Sequence, residues 1–76
     1  MKDLLEFLAR SLVDHPEQVQ VEERENADGV LLRLTVAKED VGKVIGKQGR
    51  IARALRTVVK ASAVKEGKQA TIEIVD

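Results

Sequence analysis

Apolar residues recur at helical intervals near the start of the chain: Leu4, Leu5, Phe7, Leu8, Leu12 and Val13 fall three or four apart until His15-Pro16 ends the run. Asp3 followed three residues later by Glu6 is a capping-box pattern, so a helix is predicted over about residues 3–14, with Asp3 as its cap and Phe7 in the core. The period then changes. Val19 and Val21 alternate with polar residues, Asn26-Ala27-Asp28-Gly29 supplies turn chemistry, and Val30, Leu32, Leu34 and Val36 alternate with Leu31, Arg33 and Thr35. This predicts a hairpin with one apolar face. A short helix is expected from near Lys38, with Glu39 and Asp40 in its first turn complementing the helix dipole. From Arg50 to about Glu66 the set Ile51, Leu55, Val58, Val59 and Ser62/Ala63 follows a 3.6-residue period, with Gly67 placed just past the end. Finally Ala70, Ile72 and Ile74 alternate with Thr71, Glu73 and Val75, a third strand. The order α-β-β-α-α-β predicts an α+β fold, a three-stranded sheet with helices packed on one face. No repeat, linker or low-complexity tract interrupts it, so residues 1–76 are expected to form a single domain.

Composition narrows what such a chain does. A domain of 76 residues buries only about 60% of the surface its unfolded chain exposes, which leaves room for one modest core and argues against a large catalytic cleft. Hydrophobic residues at 43% against 34% charged give a globular balance, and no apolar run approaches the roughly 18 residues of a membrane span. The opening "MKDLLEF" carries acids where a secretory signal has basic and then apolar stretches. The N-terminus is therefore read as mature, and a cytoplasmic protein without a membrane partner is expected. The absence of cysteine excludes disulfides and thiolate metal sites.

Charge changes the picture more than composition does. The net charge is zero, yet residues 1–40 hold five Lys/Arg against ten Asp/Glu, a balance of −5, and residues 41–76 hold eight against three, +5. Residues 41–65 contain no acid and seven bases: Lys43, Lys47, Arg50, Arg53, Arg56, Lys60 and Lys65. Such a segment is either a solvated helix face or a surface that attracts phosphate while the acidic half limits indiscriminate binding.

Within it, "VIGKQG" sets Gly46 and Gly49 around Lys47-Gln48 at the junction of two helices. A junction this short demands backbone angles costly for residues with a Cβ, and glycine also admits close approach of another backbone. Because the loop feeds the N-terminus of the long helix, free N–H groups and the positive dipole end are expected there, with Lys47 and Arg50 adding charge: a seat for a phosphate. The competing reading is a tight helix-helix turn with no ligand. Two familiar phosphate loops are excluded. Gly42 and Gly46 enclose three residues rather than the four of a nucleotide P-loop, and Gln48 stands where its metal-binding hydroxyl belongs; the dinucleotide fingerprint needs a parallel βαβ context.

The stretch "VGKVIGKQGRIARALRTVV", between an alternating strand and a long helix, resembles the G-x-x-G signature of a KH domain, and the element order is similar to the bacterial, type II arrangement. More narrowly, with "DHPEQVQVEE" before the hairpin, the whole chain resembles the small single-KH-domain proteins of the KhpA family. The resemblance implies that Gly46, Lys47, Gln48 and Gly49 hold the backbone of single-stranded RNA, a loop that in KH domains clamps about four nucleotides. It further implies a groove floored by aliphatics, for which Val41, Val44 and Ile45 are the candidates, although some of them must be core. Gly42 would leave room for close approach, and Lys43, Arg50 and Arg53 would extend the charged track, followed by Arg56 and Lys60. Ala52, where many KH domains have a larger aliphatic, makes the floor near the loop shallower. A role as RNA chaperone or post-transcriptional regulator, tied to cell-shape regulation, is implied. So is pairing, as a homodimer or as a heterodimer with a larger multidomain KH protein, with Ala54, Ala61 and Val64 on the long helix as a candidate contact surface.

With Phe7 the only aromatic, the stacking platforms of other RNA-binding modules are absent, and weak, micromolar or poorer binding by the isolated domain is expected. Catalysis and cofactors are not expected. His15 sits beside Pro16 at a helix end, Ser11 and Ser62 lie inside helices with no base at hand, and Glu22-Glu23 and Glu39-Asp40 read as solvated charges. The alternatives are a protein-assembly subunit whose basic face is incidental, and a DNA-binding module built on the glycine turn between two helices.

Overall fold

The computed structural model describes residues 1–76. Helix α1 (Lys2–Leu12) is followed by a 3-10 turn at Pro16–Gln18, and strands β1 (Gln20–Asn26) and β2 (Gly29–Thr35) form the hairpin. A second 3-10 turn, Lys38–Asp40, leads into the short α2 (Val41–Ile45), and Lys47–Gly49 joins this to α3 (Arg50–Lys65) before β3 (Ala70–Val75). The predicted α-β-β-α-α-β order is the observed one.

The sheet runs β1-β2-β3, with β1 antiparallel and β3 parallel to the central β2. Alternation along the strands puts Val21, Val30, Leu32, Leu34, Ala70 and Ile72 under the helices, where they meet Leu5 and Ala9 of α1, Val44 of α2 and Leu55, Val59 and Ala63 of α3. The opposite face is mostly polar, Leu31 and Val75 apart, and is crossed by an Arg33–Glu73 ion pair between β2 and β3. At the hairpin, Asn26 Oδ1 accepts from the amides of Asp28 (2.9 Å) and Gly29 (3.0 Å), the turn chemistry its sequence predicts. The charges of β1 along its free edge discourage pairing with another chain.

Three expectations about the helices need correction. α1 starts at Lys2, with Met1 as its cap and no side-chain cap bond, so Asp3 lies in the first turn rather than before it. Phe7 is not core: it is 68% exposed. The buried stripe of α1 is Leu5 and Ala9, four apart, and Phe7, two residues from each, is turned to the opposite side by the 3.6-residue period. Counting apolar residues without their phase put it inside. Likewise Val58 is exposed at the margin of the α3 stripe formed by Ala52, Leu55, Val59 and Ala63. The end of α3 is as expected: the amides of Gly67 and Lys68 donate back to Val64 (3.0 Å) and Ala63 (2.9 Å), closing the helix with Gly67 in a left-handed conformation.

Candidate nucleic-acid interface

The loop between α2 and α3 is built by three residues of positive φ, with Lys47 standing between the first and the second. Gly46 (φ 75°, ψ 174°) ends α2, Gln48 (φ 58°, ψ 26°) is left-handed, and Gly49 (φ 74°, ψ 15°) precedes α3. Gly46 is required twice over. Its conformation is costly for an L-residue, and a Cβ there would lie 2.6 Å from Ile51 Cγ1. At Gly49 a Cβ would meet nothing within 4 Å, so only its backbone angle calls for glycine. Gln48 takes a left-handed conformation without being glycine, which costs on the order of 1 kcal/mol and projects a polar side chain at the loop tip.

The amides of the loop divide into two sets. Gly46 N–H donates to Gly42 (2.8 Å), Gly49 N–H to Gly46 (3.1 Å) and Arg50 N–H to Lys47, whereas the turn and cap bonds leave out the amides of Lys47 and Gln48. The expectation of free donors through the whole loop is therefore narrowed to the two central residues. Gly42 is exposed, and space around it is open: a Cβ there would meet nothing within 4 Å.

The candidate aliphatics separate by depth. Val44 is fully buried among core residues and offers no surface, Val41 is half-buried against the core, and Ile45 is exposed beside the loop. Of the bases, Lys47, Arg50, Arg53, Arg56, Lys60 and Lys65 are exposed and engaged in no ion pair of the molecule. Lys43 is different: its Nζ lies 2.9 Å from Asp14 Oδ2 and 3.7 Å from Asp40 Oδ1. The hydrogen bond it donates to Asp14, and then the charges of Asp14 and Asp40, raise its pKa, and its charge is largely satisfied within the chain.

Asp40 is the residue that sequence reasoning missed. Read as a solvated charge, it is completely buried, and its carboxylate accepts from the amides of His15 (2.9 Å) and Asp14 (3.3 Å). Burial alone would raise its pKa, but those amide bonds and the nearby positive charge outweigh burial and hold it below the ordinary carboxylate range. Asp40 thereby ties the segment after α1 to the start of α2 and, through α2, fixes the loop. Its neighbour Glu39 does stay at the surface, 3.6 Å from His15 Nε2, with Glu17 3.7 Å from Nδ1 on the other side of the ring. No local signal marks Asp40, because its partner amides lie 25 and 26 residues away.

A family description, the KhpA/KhpB KH domain, matches residues 2–74. The chain is 60% identical over 75 residues to a protein of Clostridium acetobutylicum named RNA-binding protein KhpA, covering 99% of this chain and 100% of the relative. A protein of the same name from Clostridium perfringens is 57% identical over the same shares, and one from Bacillus subtilis is 46% identical over 76 residues, 100% of this chain and 94% of the relative. Among solved structures, a GDP-bound Era from Aquifex aeolicus superposes with a TM-score of 0.64 at 14% identity, over 96% of this chain and 28% of that one. That likeness is one of fold.

Proposed function

The chain belongs to the KhpA/KhpB family of KH domains, a non-enzymatic family, and from that premise we propose that it binds single-stranded RNA through the loop Gly46–Gly49. The observation that carries the reading is the conjunction at one place of positive-φ glycines, two central amides outside the turn bonds, and a run of bases with no acid from Val41 to Lys65, unpaired save for Lys43. Lys47 and Gln48 offer backbone N–H groups to a phosphate, Arg50 and Arg53 carry the electrostatic track onward, and the open surface at Gly42 lets the sugar-phosphate chain approach. Ile45 and the exposed part of Val41 form the apolar floor beneath a base; Val44 supports them from the core. Lys43 acts as a strut of the site more than as a phosphate ligand. The names of the relatives support the same ligand class.

With so few phosphates engaged and no stacking platform beside the loop, binding by one copy is weak, and useful affinity comes from multivalency. We place this chain as an RNA chaperone or post-transcriptional regulator that works paired with a second copy or with a larger multidomain KH protein. Ala54, Ala61 and Val64, exposed on α3, supply the contact surface, with Val58 beside them.

The test is a double variant, Lys47→Asp with Gln48→Asp, titrated with labelled single-stranded RNA. Aspartate tolerates the left-handed angle of position 48, so the fold persists. The expected result is loss of RNA binding with an unchanged circular-dichroism melt and an unchanged oligomeric state. Unchanged RNA affinity would favour the assembly-subunit reading, and a duplex DNA competitor that displaces RNA from the parent protein would favour the DNA-binding one.

A further inference from the structure

Where the segment after α1 meets the turn before α2, His15 holds two successive residues of that turn at once. Its backbone N–H donates to the buried carboxylate of Asp40 (2.9 Å), and its ring Nε2 lies 3.6 Å from Glu39 Oε2. The other ring nitrogen, Nδ1, lies 3.7 Å from Glu17 Oε2 in the Pro16–Gln18 turn. The charged groups around the ring are therefore Glu17, Glu39 and Asp40, with Asp14 and Lys43 paired to each other beside it (2.9 Å) and Lys43 also 3.7 Å from Asp40. One proton decides how many of these contacts the ring can make. A neutral imidazole has a single N–H and serves Glu17 or Glu39, whereas an imidazolium donates from both nitrogens and bridges the two. Histidine is the side chain whose charge changes between about pH 5 and 8, and His15 is the only one in the chain. The place of the bridge gives it leverage. Glu39 lies in the turn Lys38–Asp40 that opens into α2, and α2, five residues long, ends at Gly46. So short a helix has too few internal bonds to hold its own orientation, so ties at its start set the position of the loop at its end.

We propose that His15 is a proton-operated clasp on the junction of α1 and α2: protonation draws Glu17 and Glu39 onto one ring, steadies α2, and raises the fraction of molecules whose Gly46–Gly49 loop is shaped to receive RNA. The inference rests on the RNA-binding reading above and adds a regulation to that site. Its sign follows from the geometry. The bridge is complete only with a charged ring, so the clasp is closed at low pH and opens as pH rises through the histidine range. Affinity scales with the competent fraction, and exposed ion pairs contribute little each, so the expected gain is about two- to five-fold. In the closed state two carboxylates offset the charge of the ring, which leaves little of it to attract a phosphate.

The experiment titrates the whole chain with a fluorescein-labelled single-stranded RNA of mixed sequence, by anisotropy at about pH 8 and about pH 6 across a salt series. Parent affinity is expected to rise about two- to five-fold at the lower pH, with an unchanged salt slope. His15→Gln and Glu39→Gln should each remove most of that rise, and Glu17→Gln part of it. The α-amino group of Met1 titrates alike in every variant, and circular-dichroism spectra should match the parent. Glu39→Gln is the decisive arm, because it keeps the titrating ring and removes its partner. A rise that survives in Glu39→Gln, or that brings a steeper salt slope, would make the ring a plain attracting charge and overturn the clasp. RNA binding of equal strength at both pH values would overturn it too, with the loop reading left standing; no binding at either pH would remove the loop reading itself. The clasp is also open to refutation without RNA. Amide resonances from Gly42 to Gln48 should titrate together with the His15 ring in the parent and stand still in Glu39→Gln, and loop amides indifferent to the ring would sink it.

Discussion

At Gly46 a single methyl group would decide between two outcomes, because it would press on the Ile51 side chain while forcing a positive φ on a residue with a Cβ. Gly46→Ala is expected to cost about 1–3 kcal/mol, read as a drop in the midpoint of urea unfolding at constant slope. Gly42→Ala makes the opposite case. The added methyl meets nothing, and alanine replaces glycine inside a helix, so stability should rise by about 0.5–1 kcal/mol while RNA affinity falls. A fall in stability at position 42, or RNA affinity that stays put, would remove the close-approach role assigned to it. Gly46 and Gly49 are visible in the sequence as a pair flanking Lys-Gln, and Gly42 as a third glycine four residues before them. What is not visible is their unequal work: steric exclusion at Gly46 depends on Ile51 folding back over the loop, a contact no spacing rule encodes.

Among elements, α2 is too short to hold itself in place by its own hydrogen bonds, and Asp40 anchors its start from outside. The sign of the pH dependence follows. A carboxyl whose folded pKa lies below its ordinary value of 3.8 adds stability at higher pH and loses it as pH falls through the folded value. Asp40→Asn should therefore lower Tm at neutral pH, with the gap to the parent closing below about pH 4, and should speed hydrogen exchange in α2 and the loop more than in β1. A Tm gap independent of pH would show that the carboxylate charge is not what holds the tether. Element types and order were legible from periodicity alone, since alternation and the 3.6-residue pattern are local. Phase was not always legible: Phe7 and Val58 have the right chemistry and the wrong side of their helices, because what a stripe buries depends on the sheet beneath it. Asp40 shows the same limit for a polar residue, whose burial is set by a distant loop.

Over the whole molecule, a neutral total is split into an acidic first half and a basic second half that fold against each other. The acids of β1 lie on the strand opposite the edge where β3 and the cationic flank of α3 meet. The expected consequence is a polarised particle: it should pass through an anion exchanger and a cation exchanger with weak retention on each, yet bind RNA with a slope near −0.7 per phosphate contacted. RNA affinity that is flat with salt would exclude phosphate contacts as its source. The linear split of charge could be counted in the sequence; its mapping onto opposite sides of a sheet required the strand order.

The parallel join between β2 and β3 closes across 40 positions, as the Arg33–Glu73 pair marks. During synthesis, α1 and the hairpin can be assembled while the ribosome still holds the last strand, but the sheet beneath α3 stays incomplete until β3 emerges. The loop thus sits on a finished sheet only in chains that include β3, and a product truncated before it, however well its loop is spelled, presents that loop on an open core.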